Sequence, residues 1–499
     1  MNPVPSIPNL KAANSNANHP AALPPPEKDA TRESADLIVP RSPTDRKAKS
    51  CSGRRVYFAM LNTRPYEDMP EKELAAILDL YAFSGNGVMD LSALPAAQEK
   101  GNTLKVFKFN KAMAAKPVAS YHHCQERAFM VCSGSEFYCF GGYVEIPDHV
   151  KKGLPSCIPD FGVCWKPSLS GDECGDSQFS SIPSNMCAER ARCGAVVTLK
   201  GTVFVVGGQV NPNYFASHPF VEYYSVDENR WIGVSSNPVE IDGGKWVKEP
   251  YLTKYVVCGA IEEKDTIIIG LMKLGRFIAL RVTFDDDDDS CRVICCDDGR
   301  RKRRKTSKKA VRGLEWVGLE EATGFVMTSK VMKTILQKCY CFSPRATGVV
   351  CEGRMFWVDS YIGTKLVMWD MVKGKCCVID MAEAGLLPSS DNDRYDPRLC
   401  SLEGGNKLGL FWMDNLVYMM AEDVVGDTLE QVKHVRKLNR SERHYGTRLT
   451  CFTVGGYEGV DDEDDDGVLK KHPEIQIHYQ RECICPVGSY LGIAFEVEA

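Results

Sequence analysis

The sequence predicts an all-β protein, and three observations carry that prediction. Short apolar runs rich in Val, Ile, Phe, Tyr and Trp recur from Arg54 onward, a composition that suits strands on a buried pleated surface. Turn-forming residues separate the runs at short intervals. Helical periodicity is confined to two stretches. In chain order the strand candidates are "RVYFAML" (55–61), "LKVFKF" (104–109), "EFYCFGG" (136–142), "VFVVGG" (203–208), "TIIIGLM" (266–272), "RMFWVDS" (354–360), "LGLFWMD" (408–414), "LVYMM" (416–420) and "LGIAFEVEA" (491–499). The helical candidates, "MPEKELAAILDLYAF" (69–83) and "EEATGFVMTSKVMKTILQKC" (320–339), read as insertions between strands.

Composition bounds the rest. Residues 1–53 are rich in Pro, Ala, Asn and Ser, with no period and little to bury, and are expected to be disordered. Residues 1–20 lack the apolar centre of a secretory signal, and Glu27, Asp29, Glu33 and Asp36 argue against an organelle-targeting peptide. No apolar stretch approaches the ~20 residues of a membrane-spanning helix. The 61 basic and 66 acidic side chains nearly balance, so no overall field marks a nucleic-acid binder. The 22 Cys are scattered, several within apolar runs. That pattern fits reduced thiols acting as small hydrophobes in an intracellular protein.

The runs repeat with a common grammar. Arg192 stands before "VFVVGG" and Arg127 before "FYCFGG", so Gly207–Gly208 and Gly141–Gly142 take equivalent places. Arg345 stands before "MFWVDS", where Asp359 and Ser360 replace the glycines, and "FTVGGYEG" restores the pair at Gly455 and Gly456. An aromatic residue then precedes a large or sulfur-bearing residue by seven positions: Tyr224 and Trp231, Phe284 and Cys291, Trp369 and Cys376. Aromatic, polar turn and apolar residue describe a hairpin between a third strand and a fourth.

On these residues the chain resembles the kelch-repeat family of β-propellers, over about residues 54–499. The best match is the blade with Arg192, Gly207, Gly208, Tyr224 and Trp231; Gly141 and Gly142 support a second, with Trp165 as its outer aromatic. The resemblance implies four-stranded blades around a channel, six by the spacing of the glycine pairs, with five also compatible. It implies second strands buried on both faces, glycines where the backbone turns tightly, and an outer aromatic that fills the widening gap between blades. Stretches 143–190, 285–338 and 423–448 are then loop insertions on a rigid scaffold. Arg127, Arg192 and Arg345 either line the channel mouth or bond blade backbone.

Function is read from the same resemblance. The expectation is a non-catalytic, monomeric protein-interaction platform with no cofactor. The alternative is the substrate-recognition subunit of a ubiquitin ligase, similar to plant F-box proteins with kelch repeats, although "DMPEKELAAIL" (68–78) matches an F-box only faintly. Some kelch-like propellers are metal enzymes, but the Glu-x-x-x-Asp-x-x-x-His arrangement of the iron-dependent specifier proteins is absent from the sequence. No nucleophile elbow, H-E-x-x-H helix or Walker-type loop occurs either.

The sharpest local motif is the basic run Arg300, Arg301, Lys302, Arg303, Arg304 and Lys305, which reads equally as an address for a nuclear import receptor and as a solvated loop. "DDDDD" (285–289) and "DDEDDD" (461–466) lack the alternating ligands of a calcium loop and read as solvated turns. No C-x-x-C occurs, and in "YHHC" (121–124) only His122 and Cys124 would share a strand face. The protein is expected in the cytoplasm or nucleus.

Overall fold

The computed structural model describes the chain from Arg54 to Glu498, apart from residues 63–75, 84–91, 110–118, 146–156, 166–178, 211–218, 235–255, 286–308, 339–347, 359–364, 388–396, 421–443, 457–467 and some shorter turns. Outside the described residues lie the expected N-terminal tail, Arg127, Gly142, Arg192, Arg345 and Arg300 to Lys305.

The described chain is a β-propeller. Five blades are each built from successive strands. Blade 1 comprises Phe129–Ser133, Glu136–Phe140, Val163–Trp165 and Phe179–Ser181. Blade 2 comprises Ala195–Leu199, Thr202–Val206, Val221–Ser225 and Arg230–Gly233. Blade 3 comprises Val256–Ile261, Thr266–Leu271, Arg276–Phe284 and Val311–Val317. Blade 4 comprises Val349–Cys351, Arg354–Val358, Lys365–Asp370 and Cys376–Asp380, with Val468–Leu469 added in parallel to its outer edge. Blade 5 comprises Arg398–Leu402, Lys407–Met420, His444–Val454 and Ile475–Pro486. A further sheet closes the ring: Tyr490–Glu498 is its innermost strand, followed outward by Arg54–Asn62, Ala76–Ala82 and Ala119–Cys124. Its inner strand packs beside those of blades 5 and 1, and each remaining inner strand packs beside the next. The blades of successive strands number five, the lesser of the two counts compatible with the sequence, and a sixth sheet joins distant strands.

The second strands are as apolar as the repeat requires. Val203, Phe204, Val205 and Val206 are buried, as are Ile267, Ile268 and Ile269, because both faces of each strand meet a neighbouring sheet. Gly207 (φ 63°) and Gly208 (φ 98°) then turn the chain in the left-handed region, and Gly141 (φ 65°) does the same after blade 1's second strand. The outer hairpin of blade 2 also matches its expected form. Tyr224 pairs directly with Trp231, and the buried indole meets Phe140 of blade 1 edge-on at 5.0 Å between centroids.

Several expectations are corrected. The helix expected over 69–83 is, from Ala76 to Ala82, a strand held between Arg54–Asn62 and Ala119–Cys124. Pairing on both edges overrides the local preference of Ala and Leu for helix. Gly455 and Gly456 follow a third strand rather than a second, and neither has positive φ. Gly455 serves close approach instead: its N–H donates to the Glu474 carbonyl at 2.7 Å. Phe284 does not answer Cys291 across a hairpin. Its register partner is Val311, because the acidic and basic runs are inserted before blade 3's fourth strand begins. Trp165 lies on a third strand, between Phe137 and Phe179 in register, rather than on an outer one. The stretch 143–190, read as a loop, supplies both outer strands of blade 1. The helix expected over 320–339 is present as two, Leu319–Thr323 and Ser329–Lys338.

Blade 4 shows how a degenerate repeat is tolerated. Trp369 pairs with Cys376, a small residue where blade 2 carries Trp231. The two helices occupy the gap this leaves toward blade 3, with Ala322, Ile335 and Leu336 joining Met272, Phe277, Trp357, Trp369 and Cys376 in one apolar cluster.

Candidate functional site: the inner-turn face

Every blade turns from its first strand to its second on the same face of the propeller. The turns are short, so their backbones are constrained. Lys200–Gly201 and Glu352–Gly353 are two-residue turns with positive φ at both positions (46° and 82°, 51° and 72°), the pattern that suits the twist of a hairpin. Asp265 (φ 47°) and Glu403 (φ 52°) hold the same region in the longer turns of blades 3 and 5. Gly or Asn would adopt this backbone at least cost; other residues lose roughly 1–2 kcal/mol there. Four turns therefore present a charged side chain from a strained backbone.

Groups in and beside these turns link adjacent blades. Ser133 Oγ of blade 1 donates to the Gly201 carbonyl of blade 2 at 2.9 Å. The Lys200 N–H of blade 2 donates to Glu262 Oε2 of blade 3 at 3.0 Å, and Lys200 Nζ pairs with Asp265. Thr202 Oγ1 reaches the Lys309 carbonyl at 3.3 Å. Between blades 4 and 5 the link is Arg354, whose guanidinium donates to the carbonyls of Val454 (2.7 Å) and Gly455 (3.1 Å) while its Nε lies 3.4 Å from the buried Asp370 carboxylate. Asp370 also accepts the N–H groups of Val372 and Lys373, which fixes blade 4's outer turn. Gly404 N–H of blade 5 donates to Glu496 of the closing sheet at 3.4 Å, and Phe495 stacks on Phe137 of blade 1 at 5.4 Å. The inner turns of blades 1 to 3, of blades 4 and 5, and of blade 5 and the closing sheet are thus linked to their neighbours.

Its electrostatics are mixed. Glu262, Glu263 and Glu352 reach solvent, while Lys407 is paired with Glu403 at 2.8 Å. Partial burial raises the Glu262 carboxyl above its ordinary range, opposed by the Lys200 N–H. The described ends of the segment that carries the basic run, Asp285 and Ala310, are joined by a 2.9 Å hydrogen bond on this face. The segment with the acidic run likewise departs from Gly456 and returns at Val468–Leu469 on the edge of blade 4.

Among the described residues no three His, Cys, Asp or Glu side chains gather to hold a metal. The described cysteines, including the buried Cys258, Cys351, Cys377, Cys400 and Cys451, are free thiols. Burial pushes Cys351 up to about 11 and Cys377 up to about 12, so both stay protonated and pack as hydrophobes.

Of the residues singled out in the sequence, Gly141, Gly207, Gly208, Tyr224, Trp231 and Trp369 take structural places in blades 1, 2 and 4. Gly141, Gly207 and Gly208 lie at the ends of second strands away from the inner turns, whereas Tyr224, paired with Trp231, and Trp369 stand in register with Val203 and Met355 close to those turns; together they do not converge on one point. Sequence reasoning missed Arg354, Lys200, Asp265 and Glu262. The available signal was a charged residue beside Gly between two apolar runs, as in "LKGTVFVV" and "CEGRMFWV".

No family model matches the chain, and no curated protein matches it. Among solved structures it is similar to a protein from Lactobacillus plantarum at 7% identity and a TM-score of 0.29, over 86% of this chain and 99% of that one. A likeness that slight carries no argument, and the propeller assignment rests on the order of the strands.

Proposed function

We propose that this is a kelch-type propeller acting as a non-catalytic protein-interaction platform, with the inner-turn face as its docking surface. The observation that supports this reading is the set of links at the inner turns: Lys200 and Asp265, both in costly backbone conformations, join blades 2 and 3, and Arg354 joins blades 4 and 5. A surface fixed in that way loses little conformational entropy when a partner docks, which favours affinity. On this reading the protein works as a monomer in the cytoplasm or nucleus, without a cofactor. Arg300 to Lys305, tethered at the same face, address it to a nuclear import receptor.

The test is affinity capture of the tagged full-length chain from its own cells, beside a Glu263→Lys/Glu352→Lys variant and a variant with residues 300–305 changed to Ala. The platform reading expects a reproducible partner that the charge-reversed rim loses and a distant Lys333→Glu variant keeps. Equal recovery by all forms would place recognition elsewhere. Import receptors lost only from the 300–305 variant would support the address, and ligase subunits retained throughout would favour the adaptor alternative.

A further inference from the structure

The helical pair between blades 3 and 4 combines weak anchoring with unfavourable burial. Two of the largest side chains in the cluster it helps to seal, Trp357 and Trp369, are fully buried, and among the described residues neither indole N–H has a hydrogen-bond partner. A buried donor without an acceptor destabilises the closed arrangement, and the penalty disappears once water reaches it. Among the described side chains of the pair, Ala322, Thr323, Ile335 and Leu336 are buried beside them, and Leu319, Val331 and Met332 pack partly exposed against the same cluster. Polar anchors add to this hold. Lys264 Nζ donates to the Ala322 and Thr323 carbonyls at 3.1 and 3.0 Å, capping the first helix, and Arg281 pairs with Glu321 at 2.7 Å. Both Arg281 and Glu321 are more than a third exposed, so water and salt screen that pair.

A latch and two pivots complete the arrangement. The Phe325 ring lies directly over Gly374 in blade 4's outer turn, where an added Cβ would fall 1.7 Å from it. Gly374 holds a φ of +70°, so the turn presents bare backbone to the ring. Gly318 and Gly324, at the two ends of the first helix, have open space where side chains would be, and Gly324 has a φ of +81°.

We infer that the two helices, Leu319–Thr323 and Ser329–Lys338, form a strap that opens as a unit while the blades stay folded, with Phe325 on Gly374 as its latch and hydration of Trp357 and Trp369 as its consequence. The ladders beneath it do not depend on it: Arg354–Val358 pairs with Lys365–Asp370, and Thr266–Leu271 with Arg276–Phe284, through backbone bonds of their own. Regions held by few buried contacts open at lower free energy than the global transition.

Amide hydrogen exchange of the full-length protein, followed by mass spectrometry at several sub-denaturing urea concentrations, tests this. Peptides from both helices should exchange at one common rate, at least tenfold faster than Thr266–Leu271 and with little dependence on urea. Peptides covering Arg354–Val358 and Lys365–Asp370 should remain slow. Phe325→Ala should speed both helices about tenfold more and leave Thr202–Val206 unchanged. Three results overturn the inference: the helices sharing the rate and urea dependence of Thr266–Leu271, the two helices exchanging at different rates, or Phe325→Ala accelerating every blade alike.

Discussion

Arg354→Met separates a role in holding blades together from incidental surface charge. Methionine keeps much of the aliphatic stem, so the loss is confined to the guanidinium. That group makes two charge-assisted bonds, to Val454 and Gly455 of blade 5, and one ion pair at 3.4 Å with Asp370. Each bond of this kind contributes about 1.5–3 kcal/mol net. Stranding a buried partner charge costs about 3–5 kcal/mol, but Asp370 retains the Val372 and Lys373 N–H groups at 3.0 and 2.8 Å, which removes most of that penalty. The expected destabilisation is therefore about 3 kcal/mol. Asp370→Asn keeps an acceptor for both N–H groups and should cost about 1 kcal/mol. Because the side chains touch, the double variant should fall short of additivity by roughly 1 kcal/mol. Urea unfolding read by tryptophan fluorescence and far-ultraviolet circular dichroism, with coincident transitions as the check on two-state behaviour, measures all three. A value for Arg354→Met within about 0.5 kcal/mol of the parent, the usual range of surface substitutions, would refute the reasoning and make Arg354 an ordinary rim cation.

Three further outcomes follow from the same structure. Gly348→Ala would set a Cβ 2.6 Å from the Cys258 carbonyl of blade 3; backbone cannot swing aside as a side chain can, so a loss of about 1–3 kcal/mol is expected in the same unfolding assay. In native protein at pH 8 a thiol-specific reagent should modify the exposed Cys187 among the described cysteines and spare Cys351 and Cys377 until denaturant is added, since upward shifts to about 11 and about 12 leave little thiolate. Glu262 has a raised folded-state pKa, so its contribution to stability is fully present below the unfolded carboxylate pKa and is lost as pH rises through the folded value. Glu262→Gln should consequently be at least as stable as the parent at pH 7 and show a flatter stability profile through that window.

What could be read from the sequence was what the chain settles locally. Gly207 and Gly208 announce a second strand's end, and Tyr224 and Trp231 announce a hairpin, because each pattern lies within a few residues and needs no distant partner. Distance hid the rest. Ala76–Ala82 carries a helix-like composition and becomes a strand only because Arg54–Asn62 and Ala119–Cys124 flank it. Val311 was concealed as the partner of Phe284 by the charged runs inserted between them. Cys376 stands where blade 2 has Trp231, and helices earlier in the chain fill the space beside it. The inner-turn links were illegible for a related reason: Arg354 acts on carbonyls a hundred residues away, and spacing along the chain says nothing about which blade follows which around a ring.

The closing sheet has a consequence for synthesis. Arg54 and Glu498 lie in register on neighbouring strands, yet a ribosome makes one of them more than four hundred residues before the other. At about 5–20 residues per second, Arg54–Asn62 waits roughly 20–90 s with its inner edge unpaired, and such an edge invites pairing with other chains. Through that interval the nascent protein is an open fan of blades, and the ring exists only after the final strand has slid into the gap beside the first.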